Sequence, residues 1–567
     1  MKRVVVFLVA VAAIVGAKPI RFAVIGDRTG DAQDSVYERI VARVAQAKPE
    51  FVLTVGDQIE GPVTDSAELA ARWEEYRAIV AGLGAPLHLV AGNNDITNPM
   101  MRSAYERLWG RAYYSFEHKG IRVFVLDNSQ ANTITEMGGA QLAWFASALD
   151  SFRSARWTIV LMHKPFWEQL VLRGKPDTLH ALYRRYGVDA VFTGHYHQYF
   201  AGTIDGIKYT SVGSSGGDAS PSPTGLGFHW MQVAVDRRGI AIAPVREDGT
   251  TRKWQDVSLT EKLSLDRVEA LGLRFSEPLE IVEGQAGTTV LPLVVSNFGS
   301  PPLDDSFGWE VPDGWQVSTA GRPEFADGGD AALVDVVVTR GADAFYPVPV
   351  VSATLPYAPG KGVRVSQPLR VARTVSAPHG RPDIDGELRE KLWWKPATRL
   401  FRPNGKPTRA ESTAFYFAWD DSSVYLAAWC RESRPESLRL DAAERDGAVY
   451  NDDCVGWFLR PDFSNRNVYQ VYVNAAGTVF DQSINTTEDA GTESDPSWNG
   501  EYEVKAARGA DWWSVEMRVP VAQFGAKAGP GRAWGANFRR KQQRLGTADW
   551  QVPISYDPDT FGRLLME

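Results

Sequence analysis

The stretch VDAVFTGHYH, Val188 to His197, is an apolar run that reaches a glycine and then sets two histidines two residues apart. The chain has only eight histidines, so their pairing at the end of such a run asks for a reason. The same design recurs upstream. IRFAVIG runs into Asp27, PEFVLTVG into Asp57, PLHLVAG into Asn93 and RWTIVLM into His163. Helix-patterned stretches, SVYERIVARVAQA and SAELAARWEEYRAIVAGLG, lie between the first runs. Strands alternating with helices predict an α/β domain. Unbroken apolarity, in place of an in–out alternation, marks strands buried on both faces. Ligands of open α/β sheets gather at the carboxyl ends of the strands. Asp27, Asp57, Asn93, His163, His195 and His197 are therefore expected to meet above one sheet rim. Glycine precedes the ligand in four of the five motifs, which suggests a sharp turn that a side chain on the backbone would oppose.

Two carboxylates, one amide oxygen and three imidazoles form a mixed nitrogen and oxygen set, suited to zinc, iron or manganese. Taken singly the motifs say little, since a Gly-Asp pair is a common turn and paired histidines occur on surfaces and in cores. The ordered set is what points to metal. The segments GDRTG, GDQIE, GNND, LMHKP and GHYH together resemble the calcineurin-like metallophosphoesterases, a family that includes the purple acid phosphatases. The resemblance runs from Ile20 to about Val245. It implies an α/β phosphoesterase sandwich that hydrolyses phosphate mono- or diesters with two metal ions, Fe, Mn or Zn. Asp57 would bridge them, Asp27 and His197 would hold one, and Asn93, His163 and His195 the other.

Two positions depart from the family pattern. Thr29 stands where the first motif usually has histidine, and Glu60 occupies the place from which the purple enzymes supply a tyrosine. Asn94 replaces the histidine that contacts substrate phosphate, while Asp95 keeps the acidic place beside it. Asparagine donates a hydrogen bond but delivers no proton at neutral pH. Asn94, Asp95 and Arg28 are the expected catalytic groups, with His229 as another donor. Two readings stay open: an enzyme favouring good leaving groups, or a degenerate domain that binds metal without turnover. The glycines of GSSGG, Gly213, Gly216 and Gly217, either build a mobile loop or bring backbone N–H groups to a phosphate.

The whole chain is too long for one core: 567 residues imply several domains. The expected division is 1–17 signal peptide, 18–260 phosphoesterase, 271–374 Ig-like β-sandwich spacer and 380–567 a second β-sandwich. Lys2 and Arg3 ahead of the apolar run Val4–Val15, then Val15-Gly16-Ala17, read as a cleaved export signal or an uncleaved anchor. No later run is long enough to span a bilayer, so a secreted, periplasmic or cell-surface protein is expected. Net charge −8 argues against a nucleic-acid partner. Cys430 and Cys454 either pair or stay buried thiols. From RPDIDGELREKLWWKPA to DPDTFGRLLME, the last segment resembles family 9 carbohydrate-binding modules. That resemblance implies a polysaccharide or glycoconjugate partner stacked on aromatic rings. Trp498, Trp394 and Trp513 are the leading candidates among Trp393, Trp394, Trp498, Trp512, Trp513 and Trp550. Neighbouring tryptophans on a strand must point to opposite faces. Asp452 and Asp453 are expected to cap a turn or to bind calcium.

Overall fold

The apolar runs become strands in a computed structural model that describes residues 18–151, 155–219, 223–298, 307–320, 323, 331–487, 491–552 and 554–567. The export signal at 1–17 lies outside the described residues. The chain divides into two units, one ending at Arg267 and one running from Val268 to Glu567.

The first unit holds two sheets. One is built from β1 (Ile20–Ile25), β2 (Val52–Thr54) and β3 (Leu87–His88), with α1 (Val36–Ala47), α2 (Ser66–Val80) and α3 (Pro99–Trp109) between and after them. β1 pairs parallel with β2 and β2 with β3, the topology that helical crossovers demand. The other takes β4 (Tyr114–His118), β5 (Ile121–Val125), α4 (Gly139–Ser151), β6 (Trp157–Leu161), the one-turn helix α5 (Phe166–Gln169), α6 (Thr178–Tyr186), β7 (Ala190–Thr193), β8 (Tyr199–Ile204) and β9 (Ile207–Val212). Its strand order is β4-β5-β6-β7-β9-β8. β10 (His229–Val235) and β11 (Ile240–Arg246) then return to the first sheet, giving β11-β10-β1-β2-β3. Ile40, Val41 and Val44 of α1, Leu69 and Trp73 of α2 and Met101 of α3 cover that sheet in one buried cluster with Ala23, Ile25 and Val52. Phe145 of α4 packs edge-on against Phe124 of β5, centroids 5.3 Å apart, so the second sheet has its own helical cover. Phe116 of β4 stacks on His88 of β3 at 3.7 Å and joins the two sheets at one edge.

The second unit is built mainly of strands. Strands Leu273–Phe275, Gly287–Ser296, Ala331–Arg340 and Trp315–Ala320 form one four-stranded sheet, and Gly308–Glu310, Val350–Ala358 and Lys361–Pro368 a three-stranded one. Strands Leu279–Val282 and Val371–Ala377 leave this region and extend a nine-stranded sheet whose other members come from the last segment. That sheet packs on the four strands Thr413–Trp419, Ser423–Arg431, Trp512–Pro520 and Glu503–Arg508. Phe415, Leu426, Trp457, Val471, Trp513, Trp534 and Phe538 fill the space between them. Arg373, wholly buried, donates to the carbonyl of Arg399 at 2.9 Å and lies 5.0 Å from the ring of Trp550, across the segment boundary expected near 374–380. Among the described residues no helix is long and apolar enough to cross a membrane.

Candidate metal centre at the strand ends

The six expected side chains converge, but on two rims. Asp27, Asp57 and Asn93 follow β1, β2 and β3 of the first sheet, and His163, His195 and His197 follow β6 and β7 of the second. The single rim read from the sequence is thus corrected, because hydrophobic periodicity reports strands and not which sheet they join.

At the centre, ligand atoms of Asp27, Asp57 and His163 all lie within 4.8 Å of one another. His163 gives its Nδ1 to the carbonyl of Val55 at 2.8 Å, which turns Nε2 inward. That nitrogen lies 2.9 Å from Asn93 Oδ1 and 3.4 Å from Asp57 Oδ2. His195 brings its ring centroid to 5.0 Å from that of His163. On the other side His197 Nε2 is 3.4 Å from Asp27 Oδ2. Asp27 Oδ1 is buried with no hydrogen-bond partner among the described residues. An anionic lone pair left bare in the interior is costly unless a cation faces it. The donor set and this oxygen fit a bound metal.

The charges are already arranged as if around a cation. Burial holds the Asp27 carboxyl above its usual range, partly countered by His197. Burial also presses on Asp57, yet the neighbouring His163 outweighs it and holds Asp57 low. Burial opposes protonation of His163, but the Asp57 and Asp27 carboxylates overcome it and push the imidazole up to about 9. His197 is raised against its burial by Asp27, whereas burial and the charge on His163 bring His195 down to about 4.

The glycines are needed for space more than for turning. A Cβ at Gly92 would sit 2.1 Å from Asp57 Oδ1, one at Gly194 2.2 Å from Asp27 Oδ1, and one at Gly56 2.3 Å from His163 Nδ1. Of these only Gly56 has a left-handed backbone, φ 113°. In the loop after β9, Gly216 and Gly217 pack on Tyr37 and Thr29, a further close approach of backbone.

The expected catalytic groups fare differently. Asn94 is half-buried and turns inward: its Nδ2 donates to Asp57 Oδ2 at 3.0 Å and to Thr29 Oγ1 at 3.3 Å. Thr29, fully buried, spends its hydroxyl proton on the carbonyl of Asp57 at 3.2 Å. Asp95 orients no side chain at position 94. Both its oxygens accept backbone N–H bonds, from Asp57, Gln58, Ile59 and Gly92 at 2.7–3.1 Å, and the residue is wholly buried. Its role is corrected to holding the Asp57 loop. Arg28 donates to the carbonyl of Gln58 at 3.1 Å and pairs with Glu75. His229 is buried, bonded through Nδ1 to Gly227 O at 2.7 Å, and burial brings it down to about 4. It therefore stores no proton at neutral pH and is corrected as a donor. Glu60 accepts the N–H of Gly30 at 3.0 Å and shapes the first loop.

Sequence reasoning missed Asn128. Its Oδ1 accepts the N–H groups of His163 and Lys164, both at 3.0 Å, and fixes the His163 loop. The signal was its place at the end of IRVFVLDNS, one more polar strand terminus.

In the second unit, Trp513 is wholly buried in the sandwich core and is corrected as a sugar contact. It shares parity with Val515, Met517 and Val519, all buried, so its partner Trp512 takes the outer face. Trp550 and Trp393 are buried as well, with indole N–H groups on Glu283 at 2.8 Å and Glu516 at 2.9 Å. Trp394 is 55% exposed, with Lys395 Nζ 4.1 Å from its ring. Trp498 is half-buried beside Tyr469, centroids 4.9 Å apart, and Phe524. The carboxylates of Asp452 and Asp453 accept N–H bonds from Asp441 and Ala442 and from Arg439 and Gln543, tying segments distant in sequence in place of capping a local turn. Cys430 and Cys454 are buried free thiols.

Residues 20–199 match the family model described as calcineurin-like phosphoesterase. A Danio rerio serine/threonine-protein phosphatase, CPPED1, is 25% identical over 241 residues, spanning 39% of this chain and 73% of that protein. A dimetal phosphatase structure, also from Danio rerio, aligns over 42% of this chain and all of its own at 12% identity, TM-score 0.33. A family 9 carbohydrate-binding module from Caldicellulosiruptor kristjanssonii, solved with cellotriose, aligns over 34% of this chain and 93% of its own at 19% identity, TM-score 0.26.

Proposed function

Starting from the calcineurin-like phosphoesterase domain at residues 20–199, we propose that this chain is an exported metal-dependent phosphoesterase hydrolysing phosphate mono- or diesters. Its tail would hold it near glycans. The observation that carries the reading is the meeting of Asp27, Asp57 and His163 within 4.8 Å around a buried, unpartnered carboxylate oxygen. Asp57 would be shared between two metal ions, Fe, Mn or Zn. Asp27 and His197 would complete one position, and Asn93, His163 and His195 the other. A metal pair there would supply charge stabilisation at phosphoryl oxygens and a nucleophile at neutral pH. The position of Asp27 and His197 is the weaker of the two, because Thr29 is bonded to backbone and offers no replacement for the missing imidazole.

Outside the six ligand positions, the three groups nearest the centre offer hydrogen bonds and no ready proton. Asn94 donates through its amide, Arg28 is engaged by Glu75, and His229 is neutral. Leaving groups that depart as stable anions, such as aryl oxides, suit such a site. Asn94 in place of a proton-delivering histidine also supports the second reading, a domain that binds metal and does not turn over. The test is elemental analysis together with hydrolysis of mono- and bis-aryl phosphates under Mn or Zn. Metal uptake with turnover is expected, and Asp57→Asn should lose both. Full activity in that variant would refute the bridging role, and metal uptake without turnover under any ion would favour the second reading. For the tail, Trp498 and Trp394 are the ring faces proposed for sugar, and a glycan array on W498A and W394A tests them.

A further inference from the structure

We infer that the tail carries a separate site for an acidic saccharide, in a groove of about 560 Å3 between the 461–463 turn and the 525–533 segment. Its lining includes neither Trp498 nor Trp394. One wall is Phe463, 48% exposed although it is a large apolar ring. The ring is held flat. The Arg460 guanidinium lies 5.3 Å from its centroid, and a Cβ on Gly535 would touch Phe463 Cε1 at 3.6 Å. Arg460 is itself fixed by Asp559 at 3.1 Å and by the carbonyls of Asn465 and Phe463. The guanidinium thus lies over the phenyl ring, about half of whose residue surface is left open. A rigid ring with an open surface is what a pyranose C–H face stacks on.

The opposite wall is cationic. Lys527 and Arg532 are both exposed, and neither has an ion-pair partner among the described residues. The acid on the rim, Asp462, makes no ion pair with either of them but keeps its charge, so the groove sets two cations against one carboxylate. Its oxygens take the Ser464 N–H at 2.8 Å, the Ser464 hydroxyl at 2.8 Å and the Asn465 amide at 3.2 Å. A ring platform facing a guanidinium and an ammonium selects a sugar bearing a carboxylate or a phosphate, with Arg532 able to grip either in bidentate fashion.

The inference does not depend on sugar binding at Trp498, nor on turnover by the first unit. The test is calorimetry on the full chain with a galacturonate tetramer, mannose 6-phosphate, cellotetraose and inorganic phosphate, in wild type, F463A, K527E/R532E and W498A. To keep mannose 6-phosphate from the metal centre, all runs contain EDTA. We expect at least one acidic sugar to bind about tenfold or more tighter than cellotetraose, with a loss of about tenfold in K527E/R532E and a smaller loss in F463A. W498A should leave that affinity unchanged, which separates this groove from the ring at Trp498. Preference for the tetramer would assign a carboxylate ligand, and preference for mannose 6-phosphate a phosphate one. Equal affinity for acidic and neutral sugars, no binding of either acidic sugar, or unchanged binding in K527E/R532E would overturn the site. Inorganic phosphate binding as tightly as the sugars would also overturn it, since the ring would then contribute nothing.

Discussion

Gly92→Ala probes the centre without replacing a ligand. The new methyl would lie 2.1 Å from Asp57 Oδ1 and 2.2 Å from Asp57 N, more than 1 Å inside ordinary contact. Neither atom can retreat at low cost. The Asp57 N–H is bonded to Asp95 at 2.9 Å, and Asp57 Oδ1 accepts the Asn94 N–H at 2.9 Å. Overpacking of this kind costs about 1–3 kcal/mol. Because the clash falls on the shared carboxylate, displacement should weaken metal binding by about 10–100-fold, the usual effect of disturbing a ligand's support. The assay is calorimetric titration of metal-free protein with Mn or Zn, beside aryl phosphate turnover and a melting curve. Gly82→Ala is the control, since a Cβ there meets nothing within 4 Å and the residue has no left-handed backbone. A G92A protein with wild-type affinity would show that Asp57 does not hold metal where it now stands.

Metal uptake should be steeply pH-dependent: the metal-free His163, at about 9, carries a proton at neutral pH that a cation must expel. Affinity therefore rises with pH until about 9, by roughly one log unit per pH unit for each proton released, and titration at pH 7.5 in buffers of different ionisation enthalpy should show that proton leaving. Uptake without proton release would contradict the charge arrangement. Asn94→His should restore a proton donor and raise hydrolysis of alkyl phosphates by ~10²-fold or more, with a smaller gain on aryl esters; equal gains on both would place the defect elsewhere. In the tail, Trp513→Ala should destabilise by ~3–5 kcal/mol in urea unfolding as a buried core truncation. Trp498→Ala should leave stability within about 1 kcal/mol and lower glycan affinity.

The strands and the ligand set were legible because each ligand follows an uninterrupted apolar run, and such runs leave few alternatives to a buried strand. The assignment of β4–β9 to a second sheet was not legible, since it depends on pairings between runs of equal apolarity. The glycines were visible but misread. Gly92 and Gly194 face other strands' carboxylates, a long-range contact that nothing local announces. The error at Trp513 was local and avoidable. Counting every second residue from Trp513 meets Val515, Met517 and Val519, an inward face, whereas the WW pair by itself does not say which ring is outside.

Three of the six ligand positions hold backbones that side chains disfavour: Asp57 at φ 56°, His195 at 77° and His197 at 52°. Left-handed conformations cost non-glycine residues ~1–2 kcal/mol each, so these two rims store strain that must be imposed from outside. The imposing contacts are identifiable. Asp95 takes the N–H groups of Asp57 and its two successors, and Asp27 Oδ2 takes the N–H of His195 at 2.7 Å. One carboxylate, Asp27, is thus both a would-be ligand through Oδ1 and the clamp on the opposite sheet's histidine loop through Oδ2. The two functions are coupled by a single planar group. Any substitution at Asp27 must release the His195 turn as well as a ligand, so Asp27→Asn, which keeps the clamping oxygen, should retain the loop geometry that Asp27→Ala loses. Strain held this way is expected where a fold must keep side chains in place before the cation arrives.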